Sequence, residues 1–534
     1  MAQISSNQII FDSADFLVGS PKIAALKAAI NPSNQVSKSI DPFRDYGILQ
    51  PGKKPINATN SAVIGGPIIA GVLKDSTLAY VITSTGGKIN EFTYSTNTIT
   101  NAGVFPKTIA GTTPVGQDIL AYRHNVASVL TFSPFYTWYN TTDWGVGVYE
   151  NYTTFRDTFA TATATVPLTI ADTQDAIQRD APHPMEVGSD DILYIGSGRY
   201  LHAFDGSTGA NGTFSARVLT LPATFVITGL LKHQDKLLIT GVYTSATGNY
   251  TAATIGSAGE AVVYVWNYID LDVTQIIPLD DPFVSSIFSW RGQVCVITNG
   301  ESEGFGAFSG LKIKVITGNT TTKIAEIPVG SDVAYRGVDS SSTILYLNSN
   351  GKVFAIGDNI KDGYPVNNLS VCDNTVVSGW IKNIVVYGLF LGNSDNNSNH
   401  AITRFPATAG EYVSSANLTT AYHSIPVPAG KLARIKSVQV EFAATVSNAA
   451  NRMSLTLGCD MNGSGGDPTI FYALMSVAPP MQKMYYNDNS GNPFPTFTTI
   501  RLGCNWAREG AGTNETAPAI SRVIVNYELL EITT

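Results

Sequence analysis

From about residue 75 to residue 405 the apolar positions fall into pairs of short runs. A mostly apolar run is followed by a Gly- or Asn-bearing loop and then by a second, alternating run. The first runs cover 78–83, 129–132, 192–195, 237–240, 294–298, 344–347 and 384–387. Their partners cover 88–94, 144–149, 199–205, 261–266, 311–316, 352–356 and 400–405. Successive first runs start 40 to 63 residues apart. Runs of this length with period-2 alternation are strands, and a strand repeat of roughly 40–50 residues is the signature of propeller blades. The pattern predicts a seven-bladed β-propeller over residues 61–408, with the paired runs as central strands. Three exits rhyme at Pro222, Pro278 and Pro328, each read as the end of an outer strand, where fewer ladder donors are needed.

The flanks read differently. In residues 1–60, Pro21 can occupy the first turn of a short helix over 20–30, with Ile23, Leu26 and Ile30 at helical spacing. After it, Pro32, Pro42, Pro51 and Pro55 predict an extended N-terminal arm. Ile40, Phe43 and Tyr46 are its apolar anchors, suited to lie on a neighbouring subunit. From residue 409 to 534 the repeat stops, and Leu432, Ile435, Val438, Val440 and Phe442 open a series of five or more strands. That length and strand number fit a C-terminal β-sandwich of jelly-roll type. The fold class expected is therefore all-β throughout.

Composition narrows the partners. Charged residues are 14% of the chain, against about 25% in an ordinary soluble domain, and the net charge is −8. With no basic block, nucleic acid is not an expected partner. No apolar run approaches the ~18 residues that cross a bilayer, so no membrane insertion is expected. The first residues carry no basic segment followed by an apolar one, and a chain made in a cytoplasm without a secretory signal is the reading. Cys295, Cys372, Cys459 and Cys504 form no ligand cluster, and Cys459 and Cys504 share the C-terminal region, where pairing stays open.

Candidate chemistry is sparse. The pairs Asp190 and Asp191, Asp270 and Asp272, and Asp280 and Asp281 sit at strand ends, where turn and cap roles explain them. The six histidines are scattered through separate repeats and form no zinc-type pair, and His202, between Leu201 and Ala203 in a strand, reads as structural. Asp460, Asn462 and Ser464, followed by Gly465, match the opening of a calcium loop, but Phe471 stands where its closing Glu would be. The incomplete loop reads as a plain Gly-rich hairpin, so no cofactor is expected, with calcium the one that has a candidate site. Phe135, Tyr136, Trp138, Tyr139 and Trp144 cluster where a loop is expected, and such aromatics can stack on sugars or anchor a protein, while core packing is the expected fate of at least half of them. No nucleophile elbow, phosphate loop or dinucleotide fingerprint is present, so the chain is expected not to be an enzyme.

One stretch carries a resemblance. Residues 7–12 (Asn-Gln-Ile-Ile-Phe-Asp), 39–47 (Ser-Ile-Asp-Pro-Phe-Arg-Asp-Tyr-Gly), Pro51-Gly52 and Asn57-Ala-Thr-Asn60 are similar to the start of tailed-bacteriophage virion structural proteins. The resemblance implies a structural or adhesive, tail-associated subunit, located in the virion after synthesis in the host cytoplasm. Its implied partners are other virion subunits, further copies of itself, and a host-surface glycan or protein. The alternative reading is a carbohydrate-binding or glycosidase-type propeller.

Overall fold

The computed structural model of the chain describes residues 3–5, 8–12, 36–38, 55–84, 88–104, 114–139, 144–150, 154–156, 182–209, 212–244, 260–301, 308–327, 333–341, 343–349, 352–357, 366–368, 379–394, 399–406, 415–419, 423–424, 428, 431–446, 451–459, 481–487, 496–497, 499–508 and 519–531. The chain divides into two compact units, residues 56–353 with 372–407, and residues 1–55, 354–371 and 408–534.

The propeller has seven blades, six of them separate rows of four antiparallel strands and the sixth in order, opened by Val333–Ser340, part of a nine-stranded sheet. Their first, innermost strands are Ile68–Leu73, Val115–Val126, Met185–Val187, Phe225–His233, Phe283–Trp290, Val333–Ser340 and Ile381–Ile384. In blades 1 to 6 the paired runs of the sequence are the second and third strands, the middle of each blade. Both faces of a middle strand are covered by neighbouring blades, so it is buried throughout and reads as a continuous apolar run. Ala261–Trp266 is buried at every position, as is Leu193–Ser197. The outer strands Thr213–Thr220 and Thr320–Ile327 alternate and are largely exposed. The expected outer strands ahead of the three prolines are thus fourth strands.

In the seventh blade the pattern was read out of register. Residues 384–387 are mostly the turn between the first strand and the second, Gly388–Ser394, and Val385 and Val386 are exposed. Two adjacent valines on a turn imitate a strand core in sequence alone.

The blade cores lie between blades. One apolar cluster fills each of the junctions 1–2, 2–3, 3–4, 4–5 and 7–1. The last of these joins the two ends of the ring. There Phe92 packs edge-on to Phe390 with ring centroids 5.3 Å apart, and Trp380 packs edge-on to Phe92 at 6.4 Å. Gly71 makes room for that indole, since a Cβ at this position would lie 2.5 Å from Trp380 Nε1.

The ring is closed by a strand from the other end of the propeller sequence. Ile56–Asn57 is the fourth strand of blade 7, antiparallel to His400–Pro406. Ala58 N–H donates to the Ile402 carbonyl at 2.8 Å, and the Thr403 hydroxyl donates to Asn57 Oδ1 at 2.8 Å. The propeller therefore begins at residue 56, ahead of the boundary expected at 61.

In the second unit the described N-terminal residues are strands. Gln3–Ser5 and Gln8–Asp12 form a hairpin, and Gln8–Asp12 pairs antiparallel with the C-terminal strand Ile520–Glu531. That strand pairs along its length with Lys431–Val446. Val36–Lys38 pairs with Ser415–Thr419, which pairs with Thr499–Arg508. The described parts of the expected arm are sheet strands of this chain. The helix expected over 20–30 and the anchors Ile40, Phe43 and Tyr46 lie outside the described residues. Cys459 stands opposite Ile500 and Cys504 opposite Leu455, so the two cysteines are four residues apart in register. At ~3.3 Å per residue their Cα atoms are about 13 Å apart, beyond the reach of a disulfide.

Thr403 is 1% exposed, so removing its acceptor leaves a buried hydroxyl proton without one, while the Asn393 amide still donates to the oxygen. Asn57→Ala is expected to cost about 1–3 kcal/mol, read as a lower urea midpoint at unchanged slope.

Candidate functional site

The channel of the propeller carries the most concentrated polar chemistry among the described residues. Bulges prepare it. The first strands of blades 1, 2, 4 and 5 each hold one residue more than their partners at the same place, Ile69, Gln117, Thr228 and Ser285. A bulge re-aims the neighbouring side chain. In blade 2 that neighbour is Asp118, which is 1% exposed.

Arg336, on the first strand of blade 6, reaches Asp118 with a two-pronged contact. Its Nε lies 2.9 Å from Asp118 Oδ1 and its Nη2 3.1 Å from Oδ2. Nη2 also donates to the Met185 carbonyl of blade 3 at 2.9 Å. The backbone N–H groups of Met185 and Ile119 donate to the same carboxylate at 2.9 and 2.8 Å. Asp118 thus accepts from both sides, and three blades are tied through one guanidinium. A fork of this geometry is strong because both partners are charged and planar.

Beside it lies a cavity of about 480 Å³ lined by inner-strand residues of blades 1, 2, 3, 6 and 7. Glu186, Arg336, Asp339 and Lys382 are its charged lining, with Val72, Leu120 and Ile381 among the apolar residues. Lys382 Nζ pairs with Asp339 Oδ1 at 3.0 Å, and Asn383 N–H donates to Oδ2 at 2.6 Å. Glu186 faces the cavity without such a close cation. Burial pushes its carboxyl up to about 7, Arg336 acts against the rise and Asp118 adds to it. A carboxyl poised near neutrality can give or take a proton. Sequence reasoning missed Glu186, Asp118 and Arg336, since they lie on three separate blades and share no motif.

The expected recognition loop is a correction. Phe135, Tyr136, Trp138 and Tyr139 lie on the second strand of blade 2, Val129–Tyr139, and Trp144 opens the third strand, Trp144–Glu150. Phe135 and Tyr136 are 0% exposed, Trp138 1% and Trp144 3%, while Tyr139 is half-buried against the same core. From Phe135 on, the second strand is paired on both sides, which turns these aromatics into the blade junctions. Trp144 stacks on His183 at 4.6 Å. His202 is buried as well, and burial first, then the charges of His183 and Arg217, pushes its pKa down to about 3, so it is a neutral structural group.

Among the carboxylate pairs, Asp190 and Asp191 hold a turn as expected, whereas Asp281 is a buried ion-pair centre rather than a turn or cap residue. Asp190 accepts from the Tyr194 hydroxyl at 2.7 Å, and Asp191 holds a turn at φ 62°. Asp281 is buried, which opposes its charge, but Lys312, Lys314 and Thr298 each reach it at 2.6 Å and hold its carboxyl below the usual range. The calcium candidates Asp460, Asn462 and Ser464 lie outside the described residues.

A second feature is the face of the ring. In a four-stranded meander, the turn from first to second strand and the turn from third to fourth lie at the same end. All ten exposed large apolar residues among those described sit at that end. Val129, Leu130 and Phe132 are on the first hairpin of blade 2, and Val385 and Val386 on that of blade 7. Ile269 and Leu271 are on the outer turn of blade 4, 84% and 93% exposed. Ile276 and Ile56 open fourth strands and Leu73 closes a first strand at the same end.

No family profile and no curated protein matches the sequence. Solved structures of similar shape include one titled as a propeller and several titled as enzymes. The Dos1 propeller shares 11% identity at a TM-score of 0.41, covering 69% of this chain and 91% of its own. A streptogramin B lyase shares 12% at 0.41, covering 66% and 96%. An aldose sugar dehydrogenase of Streptomyces coelicolor, bound to PQQ, shares 9% at 0.34, covering 66% and 98%. The expectation that the chain is not an enzyme is corrected here, because similar structures include enzymes and the scaffold is compatible with catalysis. Likeness at this level assigns no activity.

Arg336→Ala leaves Asp118 buried and uncompensated, so a loss of about 3–5 kcal/mol is expected in chemical denaturation. Glu186 tests the cavity separately. Its carboxyl titrates near 4.5 unfolded and near 7 folded, so the folded protein holds the proton over that window and stability falls as pH rises through it. Glu186→Gln should remove this fall. The stability of the variant relative to the parent should rise between pH 5 and pH 8, by about 1–3 kcal/mol, in urea titrations at both pH values.

Proposed function

We propose that this chain is a structural and adhesive subunit of a bacteriophage virion, tail-associated, which works through protein–protein contacts and through contact with the host surface. The observation that carries the contact role is the gathering of exposed apolar side chains on one face of the ring. Scattered single apolar residues are ordinary on a protein surface, whereas several on one side of a rigid scaffold favour a partner. The exposed apolar residues belong to blades 1, 2, 4 and 7, so a partner covering them spans the ring. The virion setting is supported by the resemblance of residues 7–12, 39–47 and 57–60. In this reading the C-terminal unit is a β-sandwich of jelly-roll type, and the N-terminal strands anchor the chain start within it.

The setting is tested by mass spectrometry of purified particles from a host carrying the gene, with copy number from peptide intensities. A constant whole-number ratio to the major tail protein is expected, and absence of the chain from washed particles sinks the reading. The contact role is tested by replacing Ile269, Leu271, Val385 and Val386 with Ser. The exposed sites predict a fold unchanged by circular dichroism and at least tenfold fewer particles carrying the chain.

A second reading, a carbohydrate-binding or glycosidase-type propeller, is favoured by Glu186 at the 480 Å³ cavity. It predicts turnover of host polysaccharide that is lost in Glu186→Gln.

A further inference from the structure

The first hairpin of blade 2 is longer than its counterparts. Val115–Val126 and Val129–Tyr139 pair from end to end, but the third strand joins only from Phe135 onward. Residues 129–134 therefore present an outer edge to which no strand is paired among the described residues. Val129 is 62% exposed, Leu130 41% and Phe132 58%. From Asn125 to Thr142 the sequence holds no charged residue. Natural edges are usually blunted by Lys, a charge, a proline or a bulge, and along this one only Pro134, at its end, does so.

The geometry of the hairpin says which groups face out. Ala127 and Ser128 form a two-residue turn with φ 49° and 69°, the primed type that matches strand twist. Such a turn is closed by a hydrogen-bonded pair, here Val126 and Val129, and bonding alternates from there. Val129, Thr131 and Ser133 thus bond inward to the hairpin. Leu130 and Phe132 direct their N–H and C=O groups outward. Pro134 has no N–H and ends the run. The hairpin base is held firmly, with Asn125 N–H donating to the Gly206 carbonyl at 2.7 Å and Asn125 Nδ2 to Ser207 and Gly209 carbonyls at 2.8 and 2.9 Å.

We infer that this edge pairs antiparallel with the same edge of a second copy of the chain, about a two-fold axis at Thr131. Leu130 then stands opposite Phe132 of the second copy, and the reverse, giving four backbone hydrogen bonds. Leu130 and Phe132 of both copies fall on one side of the joined sheet and cover each other. An uncharged edge meets no like charge in its own copy, and the outward groups at Leu130 and Phe132 are self-complementary only in this register. A slip by one residue would oppose inward-bonded positions, and a longer overlap meets Pro134. A strip of this length covers less than the ~800 Å² per partner of a standard interface, so the dimer is weak and concentration-dependent. The inference requires only two copies and does not depend on the virion reading.

Thr131 is the symmetric, non-hydrogen-bonded position, where Cα atoms sit about 4.5 Å apart, within disulfide reach. Thr131→Cys at high protein concentration, under mild oxidation, should cross-link at least tenfold faster than the parent chain, which carries only its four native cysteines. Peptide mapping should return a link between two copies of position 131. Val129→Cys faces Ser133 of the second copy and should stay near the parent rate. Leu130→Pro removes an outward N–H and none of the hairpin's own bonds. Added to Thr131→Cys, it should abolish cross-linking while leaving the melting temperature within a degree or two. Equal rates for Thr131→Cys and Val129→Cys, or cross-linking that survives Leu130→Pro, would overturn the register. A strictly monomeric mass by light scattering at high concentration, with no link at 131, would overturn the pairing itself.

Discussion

A ring of blades has two ends, and everything that faces its axis depends on those ends meeting. In this propeller they meet through two residues, Ile56 and Asn57, which complete a blade whose other strands lie more than three hundred residues later. Backbone pairing alone would be a slight join. The aromatic junction of Phe92, Tyr94, Trp380 and Phe390 supplies the burial behind it. Only in a closed ring do the inner strands of blades 2, 3 and 6 come within reach of one guanidinium. The Arg336–Asp118 fork therefore depends on closure and in turn holds the inner strands to one register.

The two candidate features differ in what they ask of the fold. The channel is lined by charged groups, and its chemistry follows from the burial of Glu186. Arg336 and Lys382 are engaged by carboxylates, so the proton on Glu186 is the charge left adjustable near neutral pH. The outer face asks the opposite. Its exposed apolar residues cost little when free because they are spread over four blades, and they gain only when one partner spans them.

Much of the ring was legible in the sequence because burial on both faces writes itself as a continuous apolar run. Ala261–Trp266 reads Ala-Val-Val-Tyr-Val-Trp for that reason. The inner strands were not legible. Met185–Val187 is three residues long, and Val115–Val126 mixes Asp118, which meets Arg336 in the channel, with Arg123 and the buried His124 among its apolar positions. The recognition loop failed for a related cause. Pro134 and the aromatics after it resemble a loop, and the sequence does not show that the strand carries on past the proline and acquires a second neighbour at Phe135. Closure was hidden too, since two residues without periodicity carry no signal. The channel carboxylate and its guanidinium lie 218 residues from pairing partner to partner, a distance no local pattern spans.

The placement of the first strands bears on how the chain is made. Ile56–Asn57 leaves the ribosome early, and its partner Thr403 follows 346 residues behind. At about 5–20 residues per second, synthesis alone separates them by tens of seconds. Gln8–Asp12 waits longer still, for Arg522–Asn526 near the end of the chain. Blades 1 to 5 are local and can form in sequence as they emerge. Neither unit can be finished until the last strands arrive, so the nascent chain carries two unpaired leading edges through most of its synthesis. A nascent chain of this layout depends on those edges staying unoccupied by other chains, and the shortness of Ile56–Asn57 is itself a protection.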